Sequence, residues 1–261
     1  MLPDFTIVNR HFNARDDIVI YPIADVHLAA PEHMEKEFSE FIGKVKGEPN
    51  SYLVLGGDLV NNGVKSSVSN VYQERYMPGE SKRMMAKLLE PVRDKILCAV
   101  QGNHEARNKD VDDDPMYDIM AKLDIEDLYR ENAAFLHLQF GDRENRGKAN
   151  PSYTIVVTHG AGGGILTGGA VNRAERFGYA IDGADMIITG HTHKTYDSCP
   201  HKVVIDVRNN TVSQKPFFVV SCSPWMRYGG YALRKMLLPG GHVPQKIKLH
   251  GMKKQIQIIT G

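Results

Sequence analysis

Five short apolar runs, each rich in β-branched residues, end on a residue type that can ligate a metal ion. Residues 18–24 lead into Asp25-Val26-His27, and residues 52–56 into Gly57-Asp58. Residues 96–101 lead into Gly102-Asn103-His104-Glu105, 153–158 into His159-Gly160, and 185–189 into Gly190-His191-Thr192-His193. Continuous apolar runs of this length are the mark of strands buried on both faces. Between the early runs lie helical patterns. In 32–46 the residues Met34, Phe38, Phe41, Ile42 and Val45 recur at three- and four-residue spacing, which makes one apolar face. In 80–95 the set Met84, Met85, Leu88, Leu89 and Val92 does the same, with Pro91 a kink or break. Asp114-Pro115 is a helix start, an N-cap followed by proline at the first helical position.

Alternating strands and helices predict an α/β chain with a sheet covered by helices. After about residue 200 the pattern turns to strands, over 202–207, 217–222, 231–238 and 246–259, which predicts a second sheet. The 261 residues suit one domain spanning 1–261. A net charge of +1 neither announces nor excludes nucleic acid. The N-terminal residues lack a signal-peptide pattern, and no apolar run approaches the roughly 20 residues that span a bilayer, so no membrane partner is expected. Three cysteines, Cys98, Cys199 and Cys222, are an odd number without paired spacing. Free thiols and a reducing, cytoplasmic setting are the expectation.

The residue types at the strand ends carry the chemistry. In an open α/β sheet, ligands collect at the carboxyl ends of parallel strands. Asp, His and an Asn carbonyl make a mixed oxygen and nitrogen donor set without thiolate, suited to divalent ions such as Mn, Fe or Zn. Asp25, His27, Asp58, Asn103, His159, His191 and His193 are too many donors for one four-coordinate ion. They suit two ions about 4 Å apart with a bridging carboxylate, an arrangement used on phosphate esters. Mn is the first expectation, with Fe, Zn, Ni and Mg as alternatives.

In that order, D-x-H, G-D, G-N-H-[DE], a lone H and G-H-x-H, the blocks resemble the calcineurin-like metallophosphoesterase superfamily. The resemblance covers most of the chain and implies a four-layer α-β-β-α sandwich with two packed mixed β-sheets. It implies that Asp25, His27 and His193 hold one metal, that Asn103, His159 and His191 hold the other, and that Asp58 bridges. It makes His104 a proton donor or phosphate contact. The implied reaction is attack of a metal-bridging water or hydroxide on a phosphodiester or phosphomonoester. A DNA or RNA nuclease is the alternative, and a non-catalytic metal-binding module the third reading. The serine/threonine phosphatase branch carries G-D-x-V-D-R-G, where this chain has Gly57-Asp58-Leu59-Val60-Asn61-Asn62-Gly63. Asn61 stands where that branch has a carboxylate orienting the histidine, and Asn62 where it has a phosphate-binding arginine. A small molecule or nucleotide is therefore expected as substrate rather than a protein. The loss predicts a lower pKa for His104, with Glu105 or a loop residue left to orient it. The added leucine of Asp25-Val26-His27-Leu28 is similar to the repair exonucleases of the superfamily.

Other features have plainer readings. His11, His33, His137, His201, His242 and His250 are read as structural. Arg107, Arg173 and Arg176 are read as surface arginines, with a substrate phosphate as the alternative. Gly162-Gly163-Gly164 and Gly168-Gly169 make a loop, within 160–169, that is either a lid or phosphate cradle or a plain connection. Trp225 and Tyr228 are read as packing residues rather than base-stacking ones. Residues 65–70, 110–114 and 142–150 are polar and read as solvated loops. Oligomeric state leaves no trace in the pattern.

Overall fold

The computed structural model describes residues 5–13, 15–64, 67, 71–141, 150–162, 164 and 166–260. The first sheet is built on the early apolar runs. β2 (Ile18–Ile23), β3 (Ser51–Leu55), β4 (Ile96–Val100) and the short β5 (Tyr129–Arg130) run parallel, side by side. Every residue of β4 is buried, as a strand covered on both faces requires. A C-terminal hairpin, β13 (Gln245–Leu249) and β14 (Ile256–Thr260), extends this sheet antiparallel from β2.

Helices α1 (Glu35–Gly47), α2 (Pro78–Leu89) and α3 (Pro115–Lys122) contribute their apolar faces to the same core. α1 buries Phe38, Ile42 and Val45, three of the five residues its spacing singles out, each contributing about 1.5–3 kcal/mol by leaving water. α2 stops before Pro91 and continues as a 3₁₀ turn over Glu90–Lys95. Asp114 caps α3, its carboxylate accepting from the N–H groups of Met116 and Tyr117 at 3.0 Å.

The second sheet has the order β1-β6-β7-β8-β12-β9. Its members are β1 (Ile7–Phe12), β6 (Ala133–Phe140), β7 (Ser152–Thr158), β8 (Met186–Thr189), β9 (Asp197–Ser198) and β12 (Phe218–Ser221). β7, β8 and β12 are parallel. The two sheets face each other, with β4 against β6 and β7, while α4 (Thr167–Tyr179) covers β8 and β12 from outside. The result is a mixed α/β fold of two large mixed sheets between helices.

The second sheet differs in membership from the sequence expectation. Residues 217–222 join β8 in it, and residues 246–259 split into a hairpin on the first sheet. Residues 231–238 hold no strand; the short helix α5 (Gly230–Arg234) starts there. Residues 202–207 do form a strand, β10 (His201–Asp206), but it pairs only with β11 (Thr211–Pro216). Val203 and Ile205 are 67% and 71% exposed, so this is a surface ribbon and not a buried strand. β1 and β6 escape a search for continuous apolar runs because β6 alternates buried and half-buried residues along its length and β1 buries only Val8. Most of 65–70 and 142–150, and Gly163, lie outside the described residues. Within 110–114, Asp113 and Asp114 are engaged with Lys82, Asn108 and the α3 cap rather than only with solvent. Gly168 and Gly169 belong to the first turn of α4 and not to a loop.

Candidate metal centre

The carboxyl ends of β2, β3, β4, β7 and β8 meet where the two sheets come together. Backbone hydrogen bonds stitch the loops across the gap. Asp25 N donates to the Gly57 carbonyl, Val26 and His27 donate to that of Asp58, and Gly190 donates to that of His159. The N–H of Trp225 reaches the Asp25 carbonyl at 3.0 Å. Five of the candidate ligands sit in the left-handed region: Asp25 (φ 54°), His27 (49°), Asp58 (53°), His191 (69°) and His193 (51°). That conformation costs about 1–2 kcal/mol for a residue with a Cβ. It is held here by the surrounding hydrogen bonds, and such strain gathers at functional sites. The loops also pack backbone to backbone. A Cβ on Gly102 would fall 2.1 Å from Asp58 Oδ1, and one on Gly190 would fall 2.6 Å from the Ala24 Cβ. Only glycine fits at either place.

The seven side chains picked out at the strand ends converge. Asp25, His27 and His193 form one group and Asp58, His159 and His191 another, with the donor atoms of each within 4.8 Å of one another. His27 Nε2 faces His193 Nε2 at 3.1 Å, and His193 Nε2 lies 3.3 Å from Asp25 Oδ1. Asn103 Oδ1 joins the second group, 3.0 Å from His159 Nε2 and 2.7 Å from His191 Nδ1. Asp58 Oδ2 lies between them, 3.2 Å from His159 Nε2 and 3.8 Å from His27 Nε2. Asp25, His27, Asp58 and His159 make a buried floor, while His191 and His193 are half-buried and Asn103 is exposed. The site therefore opens past Asn103 and the two histidines.

The donor set fits divalent cations. His159 Nδ1 donates to the Gly56 carbonyl at 2.7 Å, which fixes its tautomer and turns the Nε2 lone pair into the site. Two imidazole nitrogens face each other at 3.1 Å, close enough to share a proton or a cation. The charges of the site are already coupled. Burial acts to raise Asp58, yet the imidazoles of His159, His104 and His27 outweigh it and hold the carboxyl well below its usual range. Burial acts to lower His159, yet Asp58 and Asp25 push it up to about 10. His27 stays well below its ordinary value because burial dominates.

Of the two groups expected to orient His104, Glu105 or a loop residue, it is the loop residue that does so. Glu105 does not touch the imidazole. The Glu105 carboxylate is fully buried and accepts from the backbone N–H groups of Asp58 (2.9 Å), Val60 (3.2 Å) and Gly102 (3.0 Å). Burial, with Asp58 nearby, pushes that carboxyl up to about 7. The group that orients His104 is the backbone carbonyl of Asn61, which accepts from Nδ1 at 2.7 Å. The Asn61 side chain turns away to Glu74, and that of Asn62 ties the His104 carbonyl at 2.8 Å. His104 Nε2 lies 3.8 Å from Asp58 Oδ2 and groups with His27 and Asp58. Burial, reinforced by Arg107, brings the His104 imidazole down to about 4 against the pull of Asp58.

Arg107 is a further departure. Read as a surface arginine, it is half-buried beside the site and donates to His104 Nε2 at 2.8 Å and to the Asn61 carbonyl at 3.0 Å. Its place three residues after His104 was the available signal, since that spacing puts two side chains on one face of a helical turn. Arg173 binds the Ala161 carbonyl, and Arg176 is exposed on α4. Trp225 is buried against Phe38, Phe41 and His242. The six histidines read as structural fall in none of the donor groups found among the described residues. Cys98 and Cys222 are buried free thiols and Cys199 is an exposed one. No helix among the described residues is long and apolar enough to cross a membrane.

A family model described as Calcineurin-like phosphoesterase matches residues 18–195. No curated protein matches the chain. Several solved structures are similar to it. One is a conserved uncharacterized protein, a predicted phosphoesterase, from Streptococcus pneumoniae TIGR4, at 10% identity over 95% of this chain and 91% of that one, with a TM-score of 0.40. Another is a metallophosphoesterase from Sphaerobacter thermophilus, at 13% identity over 94% and 88%, with a TM-score of 0.41. A third is the NAD nucleotidase of Haemophilus influenzae, at 11% identity and a TM-score of 0.43; the alignment covers 93% of this chain but 49% of that protein.

Proposed function

This chain belongs to the calcineurin-like phosphoesterase family, and we propose that it hydrolyses a phosphomonoester or phosphodiester of a small molecule or nucleotide at a site for two divalent metal ions, Mn first among them. As a member of that family it is a metal-dependent phosphoric ester hydrolase. In this reading Asp25, His27 and His193 hold one ion, Asn103, His159 and His191 hold the other, and Asp58 bridges. The observation that carries it is the position of Asp58, one buried carboxylate shared between the two donor groups. When bound, such ions lower the pKa of a water and neutralise charge on phosphoryl oxygens.

The chain's own residues supply the rest. The open rim at Asn103, His191 and His193 admits the ester. His104 is anchored through Nδ1 on Asn61, so Nε2 is the atom turned toward the leaving oxygen; an acceptor while Arg107 donates to it, it takes up a proton from solvent before passing it on. Asn61 and Asn62 are both engaged inside the protein, which supports a small substrate over a phosphoprotein.

Two measurements test this. With Mn present, the protein is expected to turn over p-nitrophenyl phosphate, bis-p-nitrophenyl phosphate or both, and to stop when a chelator is added. Absence of turnover on either ester, with metal shown to be bound, ends the reading. His104→Ala should lower kcat by about 10²–10⁴-fold while metal content stays at the wild-type level. Loss of an ion in that variant would instead make His104 a ligand.

A further inference from the structure

We propose that Arg107 is the guanidinium that receives the substrate's phosphoryl group, parked on His104 until the substrate arrives; this rests on the phosphoesterase reading above. Arg107 lies in the 3₁₀ helix Glu105–Val111, three residues after His104. In such a turn, side chains at that spacing eclipse one another, which sets the guanidinium over the imidazole. Nη1 donates to the Asn61 carbonyl at 3.0 Å and Nη2 to His104 Nε2 at 2.8 Å.

Both acceptors are neutral. Among the described residues no carboxylate lies within ion-pair distance of Arg107; Asp58, Glu74 and Glu105 act on it only from farther away. A guanidinium offers five N–H donors in a fork that matches two oxygens of a phosphate, and here it spends its bonds on uncharged partners. Asn62 has the sequence position of the phosphate arginine in the serine/threonine phosphatase branch, yet its amide is buried and bonded to the His104 carbonyl and Asn108. Arg173 is also bonded to a neutral carbonyl, that of Ala161, but among the described residues it has no hydrogen bond to a side chain of the site. Arg107, from the neighbouring block, is the arginine hydrogen-bonded to a side chain of the site.

An anionic phosphoryl oxygen is a stronger acceptor than a neutral imidazole nitrogen. Nη2 therefore transfers to the substrate when it binds, and the transfer leaves His104 Nε2 free to face the leaving oxygen. Arg107 thus binds the phosphoryl group and, by departing, releases the histidine.

The test uses the full chain loaded with Mn and inorganic phosphate as the probe, titrated by calorimetry beside steady-state kinetics on p-nitrophenyl phosphate. Arg107→Gln removes the charge and, its amide being two bonds short of the Nη atoms that now donate, also the reach to Asn61 and His104. It is expected to weaken phosphate binding and raise KM by about 10- to 100-fold at unchanged metal content, with Arg107→Lys intermediate. Added guanidinium ion should restore part of the loss. Unchanged phosphate affinity in both variants, with only kcat lowered, overturns the proposal and leaves Arg107 a pin for His104. Should the glutamine variant not fold, the lysine variant reads the same affinity. Wild-type protein that binds phosphate but cleaves no ester defeats the phosphoesterase reading and not this one.

Discussion

Asp58→Asn is expected to reduce turnover by about 10³-fold or more in a protein that remains folded. The substitution is nearly isosteric, and an amide oxygen can still accept from the His104 N–H, which Asp58 Oδ1 now does at 2.7 Å. What is lost is the negative charge between the two halves of the site. An Nδ2 group at the other position would present N–H toward His27 Nε2 and His159 Nε2, where the proposed cations would sit. The variant should bind fewer ions per chain and lose the metal-induced rise in Tm, while its far-ultraviolet circular dichroism matches the wild type. Turnover within tenfold of wild type at saturating Mn would contradict the bridging role.

The second large effect is on stability and comes from a residue that touches neither substrate nor metal. Glu105→Ala removes the acceptor for three buried backbone N–H groups, those of Asp58, Val60 and Gly102. A buried donor left without a partner costs about 1–3 kcal/mol, so the expected loss is at least about 3 kcal/mol. Domains of this kind are stable by only about 5–15 kcal/mol, which makes the deficit readily visible in urea unfolding. The loops after β3 and β4 should loosen together, and metal binding should weaken because Asp58 and Asn103 stand on them. Glu105→Gln retains one oxygen, able to keep the Asp58 and Gly102 bonds, and should lose much less. An alanine variant within about 1 kcal/mol of wild type would show that those N–H groups find other partners.

The residues that anchor the first sheet are readable because a strand buried on both faces has to be continuously apolar. The runs ending at Asp25, Asp58 and Asn103 could hardly be anything else. The α3 cap is equally local, since Asp114 needs only the two N–H groups of the turn that follows it. The second sheet is less legible. β6 alternates, the ribbon of β10 and β11 is apolar yet uncovered, and β12 pairs with β8 across an interval of more than twenty residues. Nothing in a local pattern says which strand a run will join.

The centre divides in the same way. The sequence by itself determined which donor atoms exist and that each follows a strand, because hydrophobic periodicity and the polar residue that ends it are properties of a few consecutive residues. Tertiary structure alone decided how those atoms meet. It put Asp58 between two donor groups drawn from both sheets and bent five candidate ligand residues into left-handed turns. It gave the orientation of His104 to a backbone carbonyl, and it brought Arg107 onto the imidazole. The physical reason is that hydrogen bonds and charge pairs act over a few ångströms in space, and the separation along the chain of the groups they join is fixed only when the two sheets pack.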